Sequence, residues 1–190
     1  MTSTTHTAHL NAKSRPLSIA CALALAACTR PCAAELTATS TTSFTSAFRS
    51  EVAVPQATMW RAITLLPQWW NDQHTWSGKA ANMVLDLQAG GCRCERWGDG
   101  RSVMHGQVIW VQPGASLRVK AALGPLQELG ASGVFTLDTN TQDDKTFVRL
   151  SYRVSGAPEA GLDKLAPVVD GVLAEQWQRL LKFAATLPAR

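Results

Sequence analysis

The sequence lacks the short motifs that mark the common catalytic sites. It contains no Gly-x-Ser-x-Gly motif, no glycine-rich phosphate loop and no His-Glu-x-x-His motif. Only His74 and His105 lie beyond the N-terminal region, so acid–base chemistry would need a pair such as Glu95 with His105 or Asp170. The spacing of these residues does not argue for such a pair. We therefore expect no cofactor, and an enzyme is not the favoured class of protein.

Charged residues are also few, at 17% of the 190 residues, and the net charge of +4 is not concentrated. Part of the positive excess lies in the first 30 residues, and no run of five or more Lys or Arg occurs. A nucleic-acid-binding patch is therefore not expected. With 46% hydrophobic residues, the chain can instead bury the core of a globular domain.

No apolar run is long enough to cross a bilayer. The best candidate, residues 17–28, has about twelve apolar residues, whereas a spanning helix needs about 20. It follows Lys13 and Arg15 and ends in alanines, which is typical of a signal peptide and fits a buried N-terminal helix less well. We predict that residues 1–34 direct export to the periplasm, so that any membrane contact is through this segment or a lipid anchor.

Two cleavage patterns fit the end of this segment. LAAC, which ends at Cys28, resembles a lipobox, in which Cys28 would carry the lipid and hold the protein on the periplasm-facing membrane. CAAE, which begins at Cys32, suits ordinary signal peptidase. The Thr- and Ser-rich residues 35–43 then predict a flexible linker, and residues 44–187 a folded domain.

Within that domain, apolar patterning predicts a strand, one or two short helices, six further strands and a long helix. Residues 46–54 form the first strand, and Pro55 begins a helix that Pro67 ends. Six apolar runs follow, separated by Gly, Pro, Asn and Asp. Residues 161–187 carry an amphipathic helical stripe with Pro167 near its start.

This order predicts an α+β domain in which a curved, seven-stranded antiparallel sheet wraps around the long C-terminal helix. The short helices after strand 1 would close the open end. A curved sheet cannot fill all the space against one helix, so we expect an apolar cavity with a few polar groups between them.

Residues 92–107 predict a β-hairpin with Asp99 and Gly100 at its tip. In that register Cys94 faces His105 and Cys92 faces Gln107, with all four side chains on one face. Three interpretations remain open. Zinc or copper could bind Cys92, Cys94 and His105 with a fourth ligand from elsewhere. The cysteines could form a disulfide, near the geometric limit for alternate strand residues. The cluster could also be a plain apolar sheet surface.

The opposite face of the hairpin carries Arg93, Glu95, Trp97, Met104, Val108 and Trp110. The apolar row of Gly106, Val108 and Trp110 favours this face as the inward one. Arg93 and Glu95 would then be polar groups of the pocket or a pair at its rim. A solvated strand end explains them equally well.

Several longer stretches resemble the START-like, or SRPBCC, superfamily of helix-grip proteins. They are VPQATMWRAIT, QWW, LQAGGCRCE, HGQVIWVQPGASLRV, LGPLQELGASGVFTL and VDGVLAEQWQRLLKF. The branch they are most similar to is that of the heat-shock-protein-90 ATPase activator homologues and polyketide cyclase-like proteins, over residues 44–187. The resemblance implies the helix-grip fold. It implies no particular chemistry, because members include lipid carriers, hormone receptors, cyclases and chaperone partners.

In a helix-grip domain the aromatic loop after the first helix lies by the cavity mouth. Seven Trp and a single Tyr occur in the chain, and Trp69, Trp70 and Trp76 cluster in that loop with His74. Trp offers a large flat apolar surface with one N–H group, so we expect this loop to contact ligand and at least one Trp to be core.

We predict an exported protein that binds a small apolar or amphipathic molecule in this cavity. The candidate ligand-binding residues are Trp69, Trp70, His74, Trp76, Arg93, Val108, Trp110, Val169 and Leu173. A cyclase- or hydrolase-like enzyme is the alternative, with His105, Glu95 or Cys94 as catalytic candidates. A protein-interaction module that uses an exposed Trp surface is a further alternative. The oligomeric state does not follow from the sequence.

Overall fold

The computed structural model describes residues 1–2 and 35–189. Residues 35–189 form an α+β domain with an antiparallel sheet, short helices and a long C-terminal helix. The strands are β1 (Glu35–Ser40), β2 (Ser43–Val52), β3 (Met83–Leu85), β4 (Cys92–Trp97), β5 (Arg101–Gln112), β6 (Ser116–Ala121), β7 (Ser132–Gln142) and β8 (Lys145–Ser155). The α-helices are α1 (Gln56–Thr64), α2 (Leu66–Trp69) and α3 (Leu162–Thr186). Four single 3₁₀ turns complete the described elements.

The sheet has eight strands in the order β1-β2-β8-β7-β6-β5-β4-β3, so the predicted count of seven was one too few. The extra strand is β1, which lies in the segment that we expected to be a linker. It pairs antiparallel with β2, with Leu36 opposite Ser46. Thr and Ser suit an edge strand as well as a tether, because one side of such a strand faces water. The predicted signal peptide and lipidation at Cys28 lie outside the described residues.

One face of the sheet builds the core. Along β8, buried and accessible residues alternate, and Val148, Leu150 and Tyr152 all point inward. The inward face meets α3, whose Trp177 ring lies 6.0 Å from the ring of Phe48 on β2. Every second side chain of the strands therefore packs against the apolar face of α3, and this contact buries the apolar surface of both.

The helices begin and end close to the predicted positions. Pro55 lies at the N-cap of α1, but Pro67 does not simply end that helix, because it lies within the first turn of α2. Gly161, with φ at 57°, precedes α3, and Pro167 sits in the second turn of that helix. Over the residues that the structure describes, no helix combines the length and the apolar character that a membrane span requires.

The β4–β5 hairpin departs from its predicted register because of a β-bulge. Cys94 faces Met104, not His105, whereas Arg93 faces Gly106. His105 is thus the extra residue of β5, and its side chain is buried on the inward face. A bulge adds one residue to one strand and re-aims the side chains beyond it. The predicted cluster of both cysteines with His105 on one face is therefore wrong.

A second bulge lies between Val108 and Trp110 on β5. Val108 is fully buried, whereas Trp110 is 49% exposed and pairs with Arg118 of β6. The expected inward row of Gly106, Val108 and Trp110 is consequently interrupted, and Trp110 faces outward.

Candidate ligand pocket

A pocket of about 300 Å³ opens between the first half of α3, the β4–β5 hairpin, the aromatic loop and the turn after β6. Its size is at the lower end for small-molecule pockets. The lining residues are mostly apolar: Trp70, His74, Thr75, Trp76, Met83, Arg93, His105, Leu123, Gly124, Pro125, Val168, Val169, Val172 and Leu173.

Among the described residues that line the pocket, Arg93 is the one arginine, and its side chain is almost completely buried, with 2% of the residue exposed. The guanidinium carbon lies 4.5 Å from the ring centroid of Trp70 and 5.1 Å from that of Phe135. Within the described chain, its Nε and Nη1 atoms have no hydrogen-bond partner. Aromatic rings therefore hold the cation, while part of its hydrogen-bonding edge stays unused.

Burial lowers the pKa of Arg93 from its ordinary value to about 10, although Tyr152 and Glu95 act in the opposite direction. The group therefore remains a cation at neutral pH. Burial likewise raises the pKa of Tyr152 to about 12. The Tyr152 hydroxyl accepts the N–H of Leu123 at 3.1 Å and lies 3.2 Å from the carbonyl of Ala121, to which it donates.

Glu95 is completely buried beside the pocket and accepts three hydrogen bonds. The backbone N–H of Trp76 lies 3.0 Å from Oε1, that of Ser77 lies 2.8 Å from Oε2, and Nε2 of His105 lies 2.7 Å from Oε1. The alternation of β4 turns Glu95 to the same face as Arg93, and the bulge in β5 turns His105 toward it. This arrangement joins the hairpin to the aromatic loop.

Burial acts to raise the pKa of Glu95, but hydrogen bonds from Ser77, Trp76 and His105 outweigh it and hold the pKa below its ordinary value. Burial, together with the charge of Arg93, lowers the pKa of His105, and Glu95 only partly offsets this. At neutral pH Glu95 is therefore ionised and His105 neutral. An ionised carboxylate only accepts, so Nε2 of His105 carries the ring proton and Nδ1 is left as its proton acceptor.

The aromatic loop is also tied to α3 on its outer side. Gln176 accepts the backbone N–H of Asn71 at 2.8 Å, and Nε2 of His74 lies 3.1 Å from a carboxylate oxygen of Glu175. Arg179 donates to the carbonyl of Trp69 at 2.8 Å. The loop that forms the mouth of the pocket is thus held from α3 as well as from Glu95.

The structure brings together most, but not all, of the residues predicted to bind ligand. Those that line the pocket are Trp70, His74, Trp76, Arg93, Val169 and Leu173. Trp69 is buried in the core and donates its indole N–H to the carbonyl of Ala62, which fits the expectation that one Trp of the loop is core. Val108 is also a core residue, and Trp110 points away because of the bulge in β5.

Sequence reasoning missed part of the lining. Met83, Thr75, Val168, Val172 and the turn at residues 123–125 were not predicted, although all contribute to the wall. Helical spacing could have suggested Val168 and Val172, which flank the predicted Val169 and Leu173 on α3. The turn carries no comparable signal, because its position depends on how far β6 runs before it ends.

Cys92 and Cys94 are joined in a disulfide, with their Cα atoms 5.5 Å apart. Of the three interpretations, the structure thus adopts the disulfide. His105 lies on the other face with Glu95, so it does not complete a metal site with the cysteines. Across the described residues, no group of three His, Cys, Asp or Glu side chains is arranged to hold a metal ion.

Solved structures share this fold at low sequence identity. A protein from Rhodobacter sphaeroides is 22% identical with a TM-score of 0.55, over 81% of this chain and 99% of its own. One from Mesorhizobium loti is 16% identical with a TM-score of 0.55, over 76% of this chain and 98% of its own. DynU16, a protein of the dynemicin biosynthetic locus, is 17% identical with a TM-score of 0.52, over 74% of this chain and 46% of its own.

No protein-family model matches the sequence, and no curated protein does so either. At such identities the structural likenesses establish the fold alone. The molecule is thus defined as an α+β protein whose antiparallel sheet and long C-terminal helix enclose a small, mostly apolar pocket with a buried arginine.

Proposed function

We propose that the chain is an exported helix-grip protein of the START-like type that binds a small apolar or amphipathic molecule. The ligand site is the pocket between the sheet and α3. The observation that carries this proposal is the pocket itself, which is large enough for a small organic molecule and opens beside Trp70 and Trp76.

The chemistry of the wall supports the same function. Flat indole surfaces and the aliphatic residues Val169 and Leu173 favour an apolar body. Arg93 and His105 supply the few polar groups that orient a ligand within such a pocket. The loop that forms the mouth is fixed by hydrogen bonds to Glu95, so part of the site is formed before a ligand arrives.

The motifs quoted from residues 44–187 support membership of the START-like superfamily, and the similar fold of DynU16 is in keeping with it. The basic start and short apolar run of residues 1–34 support export to the periplasm, by ordinary cleavage or as a lipoprotein anchored at Cys28. We propose a small molecule as the partner, and we do not propose a nucleic acid.

Native mass spectrometry of the protein purified from its own host tests the proposal. We expect a small-molecule adduct that is lost when the protein is denatured. In parallel, the neutral fluorescent probe N-phenyl-1-naphthylamine is expected to bind the purified protein with increased emission. A clean apo mass together with no probe binding would contradict the function.

A matched pair of variants locates the site. Val172 lines the pocket and is half-buried, so Val172→Trp places an indole in the cavity, whereas Gln178 is exposed on the same helix outside it. Val172→Trp should abolish probe binding and Gln178→Trp should leave it unchanged. Equal binding by both variants would place the probe elsewhere.

The ionised Glu95 beside neutral His105 supports a second candidate, an enzyme of the cyclase or hydrolase kind that uses the same pocket. A carboxylate that orients an imidazole through Nε2 leaves Nδ1 able to accept a proton from a bound molecule. This candidate uses His105 and Glu95 and gives no part to Cys94, whose sulfur is joined to that of Cys92.

Hydrolysis of p-nitrophenyl acetate tests the hydrolase form of this candidate. We expect His105→Ala to reduce the rate by at least about a hundredfold if His105 acts as general base. Unchanged turnover in His105→Ala would remove its catalytic role and leave the binding function in place.

A further inference from the structure

We propose that the ligand is a planar aromatic molecule that carries one anionic oxygen group, a carboxylate or an ionised phenol, and that Arg93 binds this group. The inference deepens the proposed function and rests on it. Arg93 is a buried cation in the pocket wall, and two of its nitrogen atoms, Nε and Nη1, have no hydrogen-bond partner among the described residues.

Arg93 has aromatic rings against it, and it forms no ion pair with the described residues. The rings of Trp70 and Phe135 lie near the guanidinium carbon, at 4.5 Å and 5.1 Å from their centroids. Contacts to ring faces leave the N–H groups at the edge of the guanidinium plane free to donate. Nε and Nη1 are buried and have no partner among the described residues. A buried charge with unmatched donors is costly, so an acceptor from outside the chain is expected there.

The nearest carboxylate does not fill this role. Glu95 forms no ion pair with Arg93 in the described chain, and its oxygens already accept hydrogen bonds from Trp76, Ser77 and His105. Tyr152 is likewise engaged, with the N–H of Leu123 and the carbonyl of Ala121. Glu95 and Tyr152 thus form their hydrogen bonds with other groups, and Nε and Nη1 of Arg93 stay without a partner among the described residues.

The shape of the wall indicates the rest of the ligand. Trp70 and Trp76 contribute flat surfaces, and Val169 and Leu173 contribute aliphatic ones. A planar ring system fits between such surfaces, and an anionic oxygen on it can accept a charge-assisted hydrogen bond from a guanidinium N–H group. With a pocket of about 300 Å³, one or two fused rings with a single acidic group are the expected size.

Isothermal titration calorimetry with 2-naphthoate and 2-naphthamide tests the inference. The two probes have nearly the same shape, and only the first is an anion. The wild-type protein should bind 2-naphthoate at least about tenfold more tightly, because hydrogen bonds to a charged group are the stronger ones. Equal affinities would overturn the inference and leave the proposed function standing.

Variants then assign the preference to Arg93. Arg93→Met keeps the length of the side chain and removes its charge, so the preference for 2-naphthoate should be lost while 2-naphthamide still binds. Arg118→Met, on an exposed arginine of β6, is the matched control and should keep the preference. If Arg93→Met retains it, Arg93 is not the anion site.

The wild-type comparison needs no variant, so it decides the matter even where Arg93→Met fails to fold. If neither naphthalene binds but N-phenyl-1-naphthylamine does, the anionic ligand is wrong and the pocket still binds apolar molecules. If none of the three probes binds, the proposed function itself is contradicted.

Discussion

Nε2 of His105 lies 2.7 Å from Oε1 of Glu95, and the same carboxylate accepts the backbone N–H groups of Trp76 and Ser77. One buried side chain therefore connects β4, β5 and the aromatic loop. Because Arg93 precedes it by two residues on the same face of β4, the conformation of the loop and the surroundings of the cation depend on the same strand. Changes at Glu95 should accordingly affect both stability and the mouth of the pocket.

Glu95→Gln should destabilise the protein by about 1–3 kcal/mol at pH 7. The amide cannot accept all three hydrogen bonds, since its nitrogen would face a backbone N–H donor. Urea unfolding measures the change, with Glu128→Gln, at an exposed carboxylate, as the control that should be near neutral. A stability equal to that of the wild type would show that these hydrogen bonds contribute little.

The same variant should flatten the acid limb of the stability curve. The pKa of Glu95 in the folded protein lies below its ordinary value of 4.5, so the unfolded chain takes up the proton first as the pH falls. The contribution of Glu95 is therefore complete above pH 4.5 and is lost as the pH falls through the folded pKa. Unfolding free energies should differ between wild type and Glu95→Gln at pH 5, and converge in stronger acid.

The ring of His105 should titrate below pH 6.5 in the folded protein. Burial and the charge of Arg93 disfavour the imidazolium, so the unfolded chain binds this proton first, and stability falls as the pH drops below 6.5. NMR titration of the ring measures the midpoint directly, and His105→Asn should remove the corresponding slope of stability between pH 6.5 and 5. A midpoint above 6.5 would mean that Glu95 dominates over burial.

Much of the fold could be predicted, because alternation in strands and the helical stripe of residues 161–187 are local signals. The class, the antiparallel sheet and the long helix followed from them. The eighth strand did not, since the Thr- and Ser-rich residues 35–43 have no apolar face that separates an edge strand from a tether. Only the pairing of β1 with β2 identifies this segment as a strand rather than a flexible linker.

The pocket residues on the aromatic loop and on α3 could be predicted from the sequence, but the directions of the side chains on the β4–β5 hairpin could not. Trp70, Trp76 and Leu173 line the pocket as expected. The positions of His105 and Trp110 depend on two bulges. Gly106 within the strand is a local signal for the first of them, but the sequence carries no comparable signal for the second. A uniform register therefore placed His105 beside the cysteines and turned Trp110 inward.

Gly106→Ala should destabilise the protein by about 1–3 kcal/mol, because β5 lies very close to β6 beside the first bulge. A Cβ on Gly106 would lie 2.6 Å from the carbonyl oxygen of Lys120 and 2.8 Å from Cβ of Ala121. Gly98→Ala, in the hairpin turn with nothing within 4 Å of the added carbon, is the matched control and should be near neutral. Thermal unfolding compares the two, and an equal small effect would show that β6 can move aside.

Substitution of the two loop tryptophans that differ most in exposure should separate ligand contact from core packing. Trp76 is 51% exposed and lines the pocket, so Trp76→Ala should weaken binding of N-phenyl-1-naphthylamine several-fold, with a change in stability below about 1 kcal/mol. Trp69 is 3% exposed and packs against Trp70, with ring centroids 5.6 Å apart. Trp69→Ala should therefore cost about 3–5 kcal/mol of stability. For each variant, fluorescence titration measures the affinity for the probe, and urea unfolding measures the stability. A Trp76→Ala variant that binds the probe like wild type would show that this indole takes no part in the site.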